Sequence, residues 1–437
     1  MSVSGPTYAE MQDPRLLPGS FRQRVLAARD HELDPLNLFN ITWRRPDGTI
    51  NHIVLPPALT GVEANIIVLL GKDFPSGSHK VGPVYTTLLE AEMDGRVSPA
   101  GQTLVGPSTG NFGIGTAYVA RLKGYRAVVV MPDGMSRERY DRIRRYGGEL
   151  DLTPGTESDV ILTLERTHDA YMRRPEYLVL EQFSLLPNYR FHRTVTGRAA
   201  LEAASAEGNG RVALFVSAPG SAGTLAAGDE IKSAHPDAVV AAPEPRECPT
   251  LHSNGIGQHR IEGVGDKMVT LIHNVKTTDY VLLIHDEDCL WGLVGVQETP
   301  LAGMLGISSV ANIIAAVTMA QHLGLGRGDN VVTVATDGFD RYPSVIEDLR
   351  HRTGRQFQSQ MIRWCSMPFA QSTPVEILDV RGPEQKERLS RQKEAVWTRL
   401  GYPTELLQQM RGREYWEEEA GRVVEVDRRY AQARGTL

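Results

Sequence analysis

Two α/β lobes, each a parallel sheet with helices on both faces, are the fold class that this sequence predicts, on three observations. Between about residues 62 and 350, short β-branched and aliphatic runs alternate with stretches carrying Ala, Leu, Glu and Arg at helical spacing. Parallel strands need a crossover between them, usually a helix, so the alternation reads as parallel sheets covered on both sides. The runs number eight, enough for two such sheets with a cleft between them. Three of the strand-to-helix turns are dense in Gly, Ser and Thr, the composition of a ligand-facing edge.

Residues 1–60 are rich in Pro, Asp and Arg and weakly periodic, and read as an N-terminal arm with one helix, Phe21–His31. The strand Ile66–Leu70 follows, then the turn Phe-Pro-Ser-Gly-Ser-His-Lys-Val at 74–81 and a helix over Val84–Met93. The remaining strands are Thr103–Val105, Ala127–Met131, Tyr177–Leu180, Val212–Val216, Ala238–Ala242, Tyr280–Ile284 and Asn330–Ala335. Residues 61–100 and 191–354 are assigned to a large lobe, and 101–190 to a small mobile one. Past residue 355 the alternation stops. Glu384–Leu400 and Glu414–Arg434 are charged and helical in spacing, with a Gly-Tyr-Pro break at 401–403. Residues 355–437 therefore read as a helical extension that packs on a lobe or on a partner subunit.

With 41% apolar and 23% charged residues, the composition is that of an ordinary soluble globular protein. A net charge of −6 argues against nucleic-acid binding. No run approaches the roughly 18 apolar residues of a membrane span, and Met1–Gln23 lacks a secretory signal pattern. Cys248, Cys289 and Cys365 show neither metal-ligand spacing nor a disulfide framework. The expectation is a cytoplasmic protein with no metal, no nucleic acid and no membrane among its partners.

The chemistry concentrates at four places. The 74–81 turn delivers Lys80 to the mouth of a helix beside a sheet edge, where a lysine kept from bulk water loses its proton and becomes a nucleophilic amine. Pro107-Ser108-Thr109-Gly110-Asn111-Phe112-Gly113 offers backbone donors and hydroxyls to a carboxylate. Pro219-Gly220-Ser221-Ala222-Gly223-Thr224 is a nest of N–H groups opening a helix, suited to a phosphate, and it lacks the lysine of a Walker loop. Gly306-Ile307-Ser308-Ser309 opens the helix Val310–Gln321. An amine nucleophile, a carboxylate cradle and a phosphate nest together suggest pyridoxal 5'-phosphate.

The order of these motifs resembles the fold-type II (tryptophan synthase β-like) pyridoxal-phosphate enzymes, and most closely their cysteine synthase/cystathionine β-synthase branch. The longest match runs from Gly106 to Gly155, through Ser-Thr-Gly-Asn, Met-Pro and Met-Ser-Arg-Glu-Arg to Leu-Thr-Pro-Gly. Further matches are Gln182-Phe183, Pro219–Thr224, Glu244-Pro245, His259–Gly265, Gly306–Ser309 and Arg341-Tyr342, so the resemblance covers residues 62–350. It implies that Lys80 forms the internal aldimine and moves the α-proton. It implies that Gly220, Ser221, Ala222, Gly223 and Thr224 hold the phosphate, Asn111 the phenolic oxygen and Ser308 the pyridine nitrogen. Ser108, Thr109, Gly110 and Gln182 would hold the substrate α-carboxylate; Asp266, on the cleft floor, is a substrate-binding candidate that departs from the family. A homodimer is also implied.

Three departures bear on the substrate. Gly-Ser-His-Lys precedes the helix as in the tryptophan synthase β-subunit, but the 107–113 loop lacks that enzyme's glutamate. Phe112 stands where the branch has Thr. Asp266-Lys267-Met268 replaces small residues. The expected activity is β-replacement on a small amino acid through an aminoacrylate, with a leaving group or nucleophile other than acetate and sulfide. The alternatives are β-elimination to pyruvate and ammonia, a serine/threonine dehydratase or racemase on the same fold, and a silent binding paralogue that an intact Lys80, Asn111 and phosphate loop disfavour. His79 either touches the phosphate or packs in its turn; His192, His252 and His259 read as helix-face or loop residues, Cys289 and Trp291 as core, and Asp340 to Tyr342 as a core turn.

Overall fold

The computed structural model describes residues 5–372 and 374–435. The first four and last two residues and Thr373, parts of the arm and the extension as read from sequence, lie outside the described residues. In chain order the strands are β1 (His52–Leu55), β2 (Asn65–Leu70), β3 (Thr103–Pro107), β4 (Arg126–Pro132), β5 (Glu149–Thr153), β6 (Tyr177–Val179), β7 (Val212–Val216), β8 (Val239–Pro245), β9 (Tyr280–Ile284), β10 (Asn330–Ala335) and β11 (Glu376–Asp379). One sheet has the order β1-β2-β10-β7-β8-β9-β11 and the other β5-β4-β3-β6. All four strands of the smaller sheet run parallel.

Each expected strand is present, within three residues at either end. The central ones are continuous apolar runs because helices cover both faces: in β2 every residue from Ile66 to Leu70 is buried. The larger sheet is not purely parallel, as the sequence pattern suggested. β1 pairs antiparallel with β2 at one edge, and β11 antiparallel with β9 at the other. These edge strands and β5 carry partly exposed, mixed sequences (Glu-Ile-Leu-Asp in β11), so a search for continuous apolar runs passes over them. The expected helix at 84–93 begins at Val81, which puts Lys80 at its N-cap. The arm helix spans Gly19–Ala27, ahead of a short turn of 3-10 helix.

The extension packs against segments that border both sheets. Trp397 and Trp416 are buried in one cluster with Met268, Leu271 and Ile272, the segment that follows Asp266, and with Val160, Leu164, Phe183 and Tyr189. Asp427 accepts the backbone N–H of Tyr8 and of Ala9 at 2.7 and 2.8 Å, and the Tyr85 and Tyr430 hydroxyls lie 3.2 Å apart. Both chain ends are thereby fastened to the helix Val81–Met93, behind Lys80. No helix among the described residues is long and apolar enough to cross a membrane.

Candidate active site

The carboxyl ends of strands from both sheets converge on one cleft, where turns leading into helices present unpaired N–H groups. Past the end of β2 the chain runs flush against the end of β10: a Cβ on Gly71 would sit 2.7 Å from the Thr336 carbonyl. Ser76, with φ at +67°, holds a strained turn for a residue that has a side chain. Lys80 follows, and its Nζ donates to Ser221 Oγ at 3.3 Å, joining positions 141 residues apart. Partial loss of water around the half-buried ammonium lowers its pKa to about 8, while Asp266 and Glu157 pull the other way.

Ser221 belongs to the turn after β7. Its Oγ also accepts from Asn188 Nδ2 at 3.0 Å, and its carbonyl accepts from Thr270 Oγ1 at 2.8 Å. Ala222 takes a positive φ of +62°, which curls the successive N–H groups to one side. Gly223 has no room for a side chain, since a Cβ would lie 2.2 Å from Asn188 Oδ1; at Gly220 it would lie 2.7 Å from the Gly263 carbonyl and 3.5 Å from Asp266 Oδ2. His79 packs on Trp43 and His192 with ring centroids 5.5 and 5.1 Å away, and its Nε2 is 3.4 Å from Thr224 Oγ1. Burial, with Lys80 adding to it, holds His79 neutral. It thus packs in its turn and reaches the phosphate-type nest as well. We expect Gly223→Ala to weaken cofactor retention at least about tenfold, because the clash must open the nest; equal occupancy after dialysis would contradict this.

On the opposite wall lies the turn after β3. Ser108 Oγ accepts from the Gly110 N–H at 3.0 Å, and the Thr109 hydroxyl hydrogen-bonds to Glu157. A Cβ on Gly110 would fall 2.2 Å from Arg139 Nη1. That fully buried guanidinium donates to the Thr109 carbonyl at 3.1 Å and to the Tyr342 hydroxyl at 3.2 Å, and it faces Glu262 at 2.9 Å and Glu157 at 3.6 Å. It ties the smaller sheet's helix Arg137–Arg145 to the larger sheet's side of the cleft. Gln182 is buried past the end of β6, and its carbonyl accepts from Asn188 Nδ2 at 2.8 Å. One asparagine therefore links the Gln182 turn to the Ser221 turn.

Asn111 opens the helix Asn111–Lys123, where its Nδ2 donates to Asp337 Oδ2 at 2.6 Å and its Oδ1 accepts from Arg341 Nε at 2.6 Å. The second N–H of the amide is left for another acceptor. Ser308 is buried in the first turn of the helix Ile307–His322, next to Asp337, whose carbonyl accepts the Gly306 N–H at 3.1 Å. Asp266 is buried, and loss of water raises its carboxyl to about 7, with Lys80 opposing.

Lys80, the 220–224 nest, Ser308, Asp266 and the 108–111 and 182 turns thus border one cleft. Arg139, Glu157, Asn188 and Asp337 also belong to it, and sequence reading missed them. Arg139 lay inside the quoted Met-Ser-Arg-Glu-Arg run, but nothing in one sequence says that its guanidinium reaches 30 residues back to Thr109. Arg341 braces the lysine turn by donating to the Ser76 carbonyl at 2.7 Å, and Tyr342 holds Asp337 at 2.9 Å, a structural part in keeping with a core turn. His259 props the cleft floor through the Gly265 carbonyl at 3.0 Å, His192 packs behind His79, and Cys289 and Trp291 are core. An amine of lowered pKa, a nest for a dianion and a cradle for a carboxylate are the parts that a carbonyl cofactor with a phosphate tail and an amino-acid substrate require.

Similarity to known proteins points the same way. The chain is 33% identical to a cysteine synthase of Staphylococcus aureus over 286 residues, which is 64% of this chain and 88% of that one. Its fold superposes with a TM-score of 0.62 on a hydrogen sulfide-producing enzyme from Fusobacterium nucleatum, at 26% identity over 67% of this chain and 95% of the other. The O-acetyl serine sulfhydrylase isoform 3 from Entamoeba histolytica gives a TM-score of 0.62 at 27% identity, covering 72% and 92%. The pyridoxal-phosphate dependent enzyme family matches residues 60–337, from the strand before the lysine turn to Asp337, and the chain belongs to that family.

Proposed function

We propose that this enzyme catalyses β-replacement on a small amino acid of the O-activated serine or cysteine type. The observation that carries the reading is the 3.3 Å contact between Lys80 Nζ and Ser221 Oγ, which sets the amine and the phosphate nest at one point of the cleft. Bound pyridoxal phosphate supplies an electron sink for negative charge at the α-carbon. Lys80 would hold the cofactor, and its amine would hold and move the proton of the substrate α-carbon. Gly220, Ser221, Ala222, Gly223 and Thr224 hold the phosphate through the nest. Asn111, oriented by Asp337 and Arg341, would offer its free N–H to the cofactor's phenolic oxygen, and Ser308 would serve its pyridine nitrogen. A hydroxyl there does not force the ring to be protonated, which suits loss of a β-substituent. Ser108, Thr109, Gly110 and Gln182 hold the substrate carboxylate, and residues 101–190 close over it as a small mobile lobe on the lobe of 61–100 and 191–354, excluding water.

Asp266 faces the substrate beyond its α-carbon and selects the leaving group or the incoming nucleophile. An acid that couples to Lys80 also favours a second reading, β-elimination. Holoenzyme given O-acetylserine, O-phosphoserine, serine or cysteine, with and without a thiol or sulfide, separates the two. Replacement predicts a new amino acid that depends on the added nucleophile; pyruvate and ammonia at the same rate with and without it would overturn that in favour of elimination. We place the enzyme in the cytoplasm as a homodimer. Its three free cysteines support the compartment, and the resemblance to the cysteine synthase branch supports the dimer.

A further inference from the structure

The proposed reaction leaves Glu157 without a role, although it lies against the substrate loop. Glu157 follows β5 in a short turn that a capping box fixes, Thr156 N–H donating to Asp159 at 2.9 Å. The residue is only 2% exposed. Its Oε1 is in a hydrogen bond with the Thr109 hydroxyl, while Oε2 has no hydrogen-bond donor and its cationic neighbour, Arg139 Nη1, stands off at 3.6 Å. A groove of about 490 Å³ lined by Gly134, Thr156, Glu157, Arg260 and Glu262 gives it a path for proton exchange.

The charges facing this carboxyl are Arg139 from the helix Arg137–Arg145, Glu262 and Asp266 from the cleft floor, and Lys80 from across the cleft. Loss of water is the largest influence and raises its pKa to about 8; Asp266 and Glu262 push the same way, while Arg139 and the Thr109 hydroxyl resist. His259, in the same groove, is lowered to about 4 by burial and stays neutral around pH 7.

A threonine hydroxyl has one proton to give. Ionised, Glu157 takes that proton as acceptor, and Thr109 turns only lone pairs towards an incoming carboxylate. Neutral, with its O–H towards Thr109, Glu157 becomes the donor and frees the threonine proton. We propose that Glu157 is a positioning residue that acts through Thr109, its bound proton turning the Thr109 hydroxyl outward as a donor to the substrate carboxylate. This rests on the reading of the 108–110 turn as the carboxylate cradle. Because the acid is raised, the favourable form is present below about pH 8, and its contribution to binding is lost as pH rises through that value. The substrate's own negative charge adds to Asp266 and Glu262 in holding the proton on.

The test is amino-acid affinity against pH in the holoenzyme, read from the cofactor absorbance with L-serine and O-acetyl-L-serine as probes. Glu157→Gln carries a permanent N–H donor in place of the acid O–H. Taking the ratio of wild-type to E157Q dissociation constants cancels titrations common to both proteins. The ratio is expected near unity at about pH 6 and about tenfold or more at about pH 10, the loss of one hydrogen bond to a charged group. In a Thr109→Val background, exchanging Glu157 for Gln should no longer alter the pH profile. Other buried acids, Asp266 among them, also carry protons near pH 7, so the readout is the wild-type-minus-E157Q infrared difference at pH 7, which should show one neutral-carboxyl C=O stretch. A flat ratio with normal wild-type binding, or the absence of that band, overturns the role of Glu157 alone. Should the wild type respond to neither amino acid at any pH, the carboxylate cradle itself is wrong and the inference falls with it.

Discussion

Replacing Lys80 with alanine is expected to cut turnover by at least about four orders of magnitude, since one amine both anchors the cofactor and moves the α-proton. The long-wavelength absorbance that pyridoxal phosphate shows when covalently joined to a lysine should vanish, while the phosphate nest still retains cofactor loosely. Lys80→Arg is expected to be as inactive as the alanine variant: a guanidinium keeps its proton, whereas the Lys80 ammonium gives its own up at about pH 8. A small primary amine added to K80A should restore a fraction of the proton transfer. An unchanged absorbance spectrum in K80A would refute the assignment of the lysine.

Arg139→Met is expected to cost about 3–5 kcal/mol of stability, an effect of the size seen when one partner of a buried ion pair is removed. The guanidinium is fully buried, and its loss strands the Glu262 carboxylate, takes a neighbour from the largely neutral Glu157, and deprives the Thr109 carbonyl and the Tyr342 hydroxyl of a donor. Burial already raises both carboxyls, to about 8 for Glu157. The deficit of the variant should therefore shrink as pH falls and Glu262 takes up a proton. Denaturant melts at about pH 7 and about pH 5 measure this. A change under about 1 kcal/mol would mean that the network is worth no more than a surface pair. The same substitution should raise the substrate KM more than it lowers kcat, because Arg139 shapes the 108–110 turn rather than the reacting atoms.

Most strands of the cleft were legible because they are runs buried on both faces, and such parallel strands are predominantly apolar, Asn330 and Thr333 of β10 being buried exceptions. The turns were legible because Gly, Ser and Thr cluster between a strand and a helix; that Gly223 must clear Asn188, and Gly110 Arg139, is a tertiary constraint that only folding reveals. β11 was not, since two apolar residues between Glu376 and Asp379 become a strand only when β9 offers an unpaired edge. The extension was legible as helices, while its footing under the Asp266 segment came from Trp397 and Trp416 meeting residues more than 120 positions earlier.

By itself, then, the sequence determined which residue types stand at the carboxyl end of each strand, and with them the cofactor class, because backbone turns, glycines and strand periodicity are settled over a few neighbouring positions. Only the tertiary structure decided how those groups are charged. Glu157, Asp266 and Lys80 are ordinary ionisable residues in a linear chain, and folding strips their water and sets them against one another. Desolvation and Coulomb coupling depend on distance in space, which the order of residues along the chain does not contain.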